Sequence, residues 1–390
     1  MKGIIDNTLR EGEQLPGVAF TCKEKLDILE LLDRSGIAIA DITMFGVHER
    51  EMDFVEEASR IKKRIQLGIS VRAIEKEIEG CFKLPVDELF IIFPVSPIHI
   101  RKKLNLTEEK LLERLKNILA SFSKEKKKLN IVAEDASRAD TDFMKKFTEI
   151  SIELKAPTIL FCDTVSVLYP RKTYELVKSW LDMCAGNIET GVHFHNDFGL
   201  STANTLIAIE MGVDYPSVTI SGIGERGGNA SLEEIVLGME NLLGIDPGVD
   251  KKILQLIADK TERYSGIIIS PNKPITGLFP YTHESGIHVD GIMKDASTYE
   301  PINPEDVGRK RQLVIGKHSG IKGMLNILKN TDVNTVDLDL NGFLSKLILK
   351  LVDTRRKKIN RLINAYHGEW GRRLNLWKAV LEEISKRTGK

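Results

Sequence analysis

What these 390 residues lack narrows the field first. Fifty-six lysines and arginines face fifty-six aspartates and glutamates, so the formal net charge is zero. That balance leaves no bulk attraction for nucleic acid or an anionic membrane. Nowhere do about 18 apolar residues run without a charge, so no transmembrane helix is expected. Cys22, Cys81, Cys162 and Cys184 are scattered, with no CxxC pair, which argues against a disulfide framework and a cysteine zinc site. Met1-Lys2-Gly3-Ile4-Ile5-Asp6 turns polar too early for a secretory leader, and a reducing, cytoplasmic setting is the expectation. No low-complexity tract occurs, and no GxxxxGK(S/T) phosphate loop.

What is present is a folded composition, 42% apolar and 29% charged. Eight short apolar, β-branched runs recur, at 3–6, 37–43, 65–71, 89–95, 130–134, 158–163, 189–195 and 217–222. Segments with helical apolar spacing separate them, among them 23–35, 49–63, 108–126, 142–155, 171–184 and 202–211, and 231–243 follows the last run. Strand alternating with helix implies parallel pairing, and eight such units match a closed (β/α)8 TIM barrel. An open doubly wound sheet is the other arrangement. The chain therefore reads as an α/β barrel over 1–270, a Pro-, Gly- and His-rich linker or lid over 271–320, and a helical C-terminal subdomain over 321–390. The basic runs at 355–358 and 372–373 read as a solvated helix face.

Active sites of such barrels form at the carboxyl ends of the strands. Arg10, Glu11 and Gln14 follow the first run, Arg72 the third, Thr164 the sixth, and Glu225, Arg226 and Asn229 the eighth, while the fifth strand carries Glu134 and Asp135 at its end. His193-Phe194-His195 on a strand puts both imidazoles on one face. Two hydrogen-bonded structural histidines are one reading. With Glu11 and Asn229 at the same mouth the other is a divalent metal, and N and O ligands admit Zn, Mn, Fe, Co or Mg alike. Gly222-Ile223-Gly224-Glu225-Arg226-Gly227 satisfies GxGxxG, but no strand ending in an acidic residue follows, as a dinucleotide site would need. Glycines that admit a bound acyl thioester are the alternative. His283, His288, Tyr299, Lys317 and His318 crowd a segment beyond the eighth run, a density expected of a segment laid over a site, its own or another subunit's.

Five ordered motifs resemble the 2-isopropylmalate synthase and homocitrate synthase family. They are Asp6-Asn7-Thr8-Leu9-Arg10-Glu11-Gly12-Glu13-Gln14 with Lys25 behind it, His193-Phe194-His195-Asn196-Asp197-Phe198-Gly199, and the glycine loop through Asn229. Thr282-His283-Glu284-Ser285-Gly286-Ile287-His288-Val289-Asp290 and Gly316-Lys317-His318-Ser319-Gly320 complete the set. The resemblance implies a metal-dependent TIM barrel that condenses acetyl-CoA with a small-molecule 2-oxo acid and hydrolyses the thioester. It implies a metal on Glu11, His193 and His195 with Asn229 beside them, and Arg10 stabilising the alkoxide. Gln14 and Thr164 would contact the substrate, Glu134, His288 and Tyr299 would handle protons, and Gly224, Glu225 and Arg226 would lie near acetyl-CoA. A homodimer whose site is completed across the interface is implied, with neither nucleic acid nor membrane as partner. The stretch 134–140 is similar to the nitrogen-fixation type of homocitrate synthase, so 2-oxoglutarate is the expected acid, with Arg72 gripping its distal carboxylate. A 2-isopropylmalate, Re-face citrate or phosphinomethylmalate-type synthase is the alternative, and a metal-dependent acyl-CoA lyase is the alternative of another class. Those lyases use a cysteine in the glycine loop, and residues 221–231 contain none.

Overall fold

The computed structural model describes residues 1–328 and 339–354. The basic stretches at 355–358 and 372–373 lie outside them, as does His367. Two compact units divide the described residues, Met1–Ile269 with Pro274–Thr276, and Ser270–Lys273 with the described residues from Gly277 on.

The first unit alternates strand and helix. In order come β1 (Ile5–Asp6), α1 (Cys22–Ser35), β2 (Ile39–Met44), α2 (Arg50–Ile61), β3 (Gln66–Arg72), α3 (Glu75–Phe82), β4 (Glu88–Pro94) and α4 (Glu108–Ser121). There follow β5 (Lys128–Glu134), α5 (Thr141–Glu153), β6 (Thr158–Asp163), α6 (Pro170–Cys184), β7 (Glu189–Phe194), α7 (Ser201–Glu210), β8 (Tyr215–Val218) and α8 (Leu232–Leu243), then α9 (Leu254–Ser265). The strands form a closed barrel in sequence order, β1 lying parallel to β8 with Ile5 opposite Ser217. Strands covered on both faces need continuous apolar runs, and every residue of β6 is buried. Ile5, Ile39, Phe90, Leu160, Cys162 and Tyr215 pack together as a core cluster.

Local chemistry sets the helix ends. Thr21 and Glu24 form a capping box on α1, and Gly36 in the left-handed region stops it. Asp140 caps α5, and Pro170 opens α6 where no amide hydrogen is needed. Two segments depart from the sequence reading. The run at 217–222 leaves the sheet at Val218 and turns through Ile220–Gly222, because Ser221 and Gly222 take φ of 55° and 73°. The Ser221 amide donates to the buried Glu233 carboxylate at 3.0 and 3.1 Å, which compensates the broken ladder. After β4, His99–Lys103 forms one π-helical turn where the sequence shows no periodicity. Among the described residues no helix is long and apolar enough to cross a membrane.

The second unit pairs β9 (Thr282–His283) with β10 (Gln312–Leu313) and carries α10 (Gly286–Lys294), α11 (Gly320–Leu328) and α12 (Leu340–Thr354). A Cβ at Gly286 would strike the Ser319 carbonyl, and the Gly286 amide donates to His318 O at 3.1 Å. The two motifs of this region are thereby interlocked. Since α10 packs on α11, the boundary expected at residue 320 falls inside one folded body, and 277–320 is not a separate linker.

Candidate active site

The turn after β1 is held from below. Buried Asp6 accepts the Thr8 amide at 2.9 Å and its hydroxyl at 3.1 Å, while Thr8 Oγ1 accepts the Ile220 amide at 2.8 Å. Burial pushes the Asp6 carboxyl up to about 7. Glu11 N donates to Asn7 O at 2.7 Å, so Arg10 and Glu11 enter the barrel mouth side by side. Arg10 Nε donates to Asp41 Oδ2 at 2.8 Å and its Nη1 to Glu11 Oε2. Ser70 Oγ also donates to Asp41 Oδ2, at 2.6 Å. The acids Asp41 and Glu11 raise the Arg10 pKa despite burial, so the guanidinium keeps its charge. Lys25, 1% exposed, meets the carboxylates of Glu13 and Glu51 and lies 5.0 Å from the Phe54 ring centre. It thereby fastens the β1 turn to α1 and α2.

His193 and His195 share one face of β7 and its continuation, ring centres 5.0 Å apart and planes at 86°. Ser217 Oγ lies 2.8 Å from His193 Nδ1 and accepts Asn7 Nδ2 at 2.7 Å. An Nδ1–H donating to that hydroxyl leaves Nε2 with its lone pair. Donor atoms of Glu11, His193 and His195 lie within 4.8 Å of one another. Burial first, then His195 and Arg10, hold His193 well below the usual imidazole range, and burial lowers His195 as well. Both rings are therefore neutral and able to ligate. Buried His195 Nδ1 and Asn229 Oδ1 have no hydrogen-bond partner among the described residues. A backbone bridge sets Asn229 against His195, and a Cβ at Gly224 would fall on the Asn229 amide, so glycine is required there. Orphaned polar atoms, neutral imidazoles and one carboxylate fit a divalent cation.

These groups open into a cavity of about 660 Å³. Ile5, Phe90, Leu160 and Cys162 of the core cluster line it, with Ile92, Val132, Leu104 and Leu111. Gln14, Arg72, Thr164, Glu134, Glu225 and Arg226 also line it, and Asn229 stands beside it through its bridge to His195. Gly224 serves instead by its contact with Asn229. Thr164 Oγ1 accepts the Asp135 amide at 2.9 Å, which leaves its own hydrogen to donate. Glu134 accepts Lys103 Nζ at 2.6 and 2.8 Å. Arg226 binds Asp197 at 3.0 Å through two nitrogens and donates to Thr164 O at 2.6 Å. Asp197 is accordingly held near 2, first by the Arg226 hydrogen bond.

One expected role meets a physical obstacle. The Arg72 side chain is 63% exposed, and its guanidinium binds Glu77 in fork fashion, Nε at 3.0 Å, so its charge is already matched. His288 and Tyr299 belong to the second unit, where their rings stack with centres 4.2 Å apart. His283 Nε2 there meets Glu300 at 3.0 Å.

Sequence reasoning missed Asn7, Asp41, Lys103, Arg114 and Ser217. Asp41 left a signal, an acid inside an otherwise apolar strand. Lys103 on the π-helical turn and Arg114 on α4 left none, since neither follows a strand end directly.

Residues 2–260 match the HMGL-like family, and residues 275–356 match the homocitrate synthase post-HMGL domain-like family. The chain is 38% identical to 2-isopropylmalate synthase 2 of Caldanaerobacter subterraneus subsp. tengcongensis, over 84% of each. It is 37% identical to the (R)-citramalate synthase of Methanocaldococcus jannaschii, over 87% of this chain and 69% of that one. The homocitrate synthase of Methanopyrus kandleri is 33% identical, over 91% of this chain and 89% of its own length. Among solved structures, an HMG-CoA lyase from Bacillus subtilis shares the fold with TM-score 0.59 at 21% identity, over 68% of this chain and 94% of that one.

Proposed function

The chain belongs to the HMGL-like family and is a relative of the synthases of 2-isopropylmalate, (R)-citramalate and homocitrate. From that membership we propose that it is an acyltransferase that condenses acetyl-CoA with a 2-oxo acid and hydrolyses the resulting thioester. The observation that carries the reading is the meeting of Glu11, His193 and His195 donor atoms in a cavity that also holds Arg10, Thr164 and Glu134. A divalent cation held by those three residues, with Asn229 Oδ1 alongside, supplies Lewis acidity to the 2-oxo carbonyl when bound.

The chain's own groups do the rest. Arg10 spends one N–H on Asp41 and one on Glu11, and its remaining donors face the oxygen on which negative charge develops. Because Asp41 fixes the guanidinium before substrate arrives, little reorganisation is needed. The free hydrogen of Thr164 donates to the substrate's C1 carboxylate. Glu134, held by Lys103, takes the proton from the acetyl methyl group, so that carbon attacks the 2-oxo carbon and the acetyl C–H electron pair becomes the new C–C bond. His288 and Tyr299 remain the proposed groups for the later proton transfers, supplied within a homodimer. A cytoplasmic setting accords with four free thiols.

The test follows free CoA thiol while acetyl-CoA is offered a panel of 2-oxo acids, before and after chelation. Condensation that stops on chelation is expected. Cleavage of a 3-hydroxyacyl-CoA without any condensation would replace the synthase by a lyase. Relatives named for three products stand at 33–38% identity, so relatedness does not choose the 2-oxo acid. The expected 2-oxoglutarate needs a cation for its distal carboxylate, and the paired Arg72 is poorly placed to be it.

A further inference from the structure

Among the described residues five cations line the cavity: Arg10, Arg72, Lys103, Arg114 and Arg226. Four have carboxylate partners, namely Asp41 with Glu11, Glu77, Glu134 and Asp197. Half-buried Arg114 has none among the described residues. Its own helix offers none either, because the positions three and four away are Lys110, Leu111, Asn117 and Ile118. Leu111 and Leu115 on α4 are fully buried, so this helix face is fixed against the barrel. In the closed strand order β4, which feeds α4, stands across the barrel from β8, and the metal-binding groups follow β1, β7 and β8. Phe90, Ile92, Val132, Leu160, Leu104 and Leu111 give the same cavity its apolar lining.

We propose that Arg114 is a specificity-determining residue that receives a terminal carboxylate of the 2-oxo acid, whose methylene chain lies along the apolar wall. The proposal rests on the condensation reading above and names its substrate class, a 2-oxo dicarboxylic acid. With C1 and C2 held near Glu11 and the histidines, the chain of such an acid runs toward β4. A guanidinium beside apolar side chains gains from a carboxylate through a charge-assisted, bidentate pair. A substrate ending in a methyl group leaves it unpaired, and sites of this kind reject such analogues strongly. A cavity of about 660 Å³ exceeds what a three-carbon acid and an acetyl group fill.

The experiment compares 2-oxoglutarate and 2-oxoadipate with 2-oxovalerate and 2-oxohexanoate, on wild type, Arg114→Met and Arg114→Lys, with divalent metal added. In wild type the dicarboxylates should lead in kcat/KM by about tenfold or more. Arg114→Met should raise their KM by about tenfold or more, leave the KM of acetyl-CoA within about twofold, and erase the preference. Arg114→Lys should restore part of it. Unchanged dicarboxylate KM in Arg114→Met overturns the proposal. So does a rise confined to acetyl-CoA, which would assign the guanidinium to a phosphate of that substrate. Calorimetry of 2-oxoglutarate binding without acetyl-CoA separates the two readings. Binding weakened by Arg114→Met with no turnover keeps the Arg114 contact and sinks condensation, whereas turnover with only the alkyl acids sinks Arg114 and keeps condensation.

Discussion

Single side chains divide the work at the barrel mouth between holding and reacting. Ser217 never touches substrate in this reading, yet its hydroxyl sits 2.8 Å from His193 Nδ1 and fixes which nitrogen faces the site. Ser217→Ala should lower divalent-metal affinity by about 10–100-fold. A metal titration followed by intrinsic fluorescence checks this, and unaltered affinity would reduce Ser217 to packing. Arg10 offers a sharper case. Arg10→Lys retains a positive charge but cannot hold Asp41 and Glu11 while keeping planar donors for an oxyanion. The expected loss in kcat, measured at saturating metal, is about 10²–10³-fold. Much of this site was legible, since Arg10, Glu11, Gln14, Thr164, Glu134, His193, His195 and Asn229 all lie at the ends of strand runs or just after them. Arg72 follows one too and lines the same cavity, but its charge is paired with Glu77 in the first turn of α3.

Helices and turns are set by a mixture of local and distant contacts. Thr21 and Glu24 announce the start of α1 in the sequence itself, and Thr21→Ala should cost about 1 kcal/mol in urea unfolding. Lys25, one residue beyond, is a different kind of element. Its ammonium is buried between Glu13 of the β1 turn and Glu51 of α2, and Thr43 Oγ1 donates to the same Glu51 carboxylate at 2.6 Å. Lys25→Met leaves two acids without their cation and should destabilise the fold by about 3–5 kcal/mol. It should also weaken metal binding, because Glu13 and Glu11 ride on the same turn. A stable Lys25→Met protein with wild-type affinity would show that the turn is held by its backbone alone. Nothing in the spacing of Glu13, Lys25 and Glu51 reveals this contact.

At the scale of the whole molecule, the second unit has its own internal anchor. Glu300 accepts Arg311 at 2.6 and 2.8 Å and His283 at 3.0 Å, and the Arg311 hydrogen bond is first among the causes that lower its pKa. A carboxyl depressed by folding contributes stability that is complete above its unfolded pKa, about 4.3 for Glu, and is lost as pH falls through the lower folded value. Glu300→Gln should therefore destabilise by about 2 kcal/mol at pH 7. The gap from wild type should close below about pH 4 in chemical unfolding, and a gap independent of pH would contradict the linkage. The homodimer proposal has its own check. Mixing Glu11→Ala and His288→Ala subunits should recover partial activity if one chain's histidine serves the other's site, and none after verified exchange would mean each chain serves itself.

The alternation of apolar runs with helical spacing determined eight parallel strands with covering helices by itself, because parallel strands buried on both faces demand both patterns, while closure of the sheet into a barrel is set by the pairing of β1 with β8. The HxH period likewise placed two imidazoles on one face before any contact was known. Only the tertiary structure decided where the charges went. The pairing of Arg72 with Glu77 and the burial of Lys25 between Glu13 and Glu51 are contacts between separate elements, and the same packing leaves Arg114 without a carboxylate partner among the described residues. No periodicity encodes such contacts, since an ion pair depends on where two side chains meet in space and not on how far apart they stand along the chain.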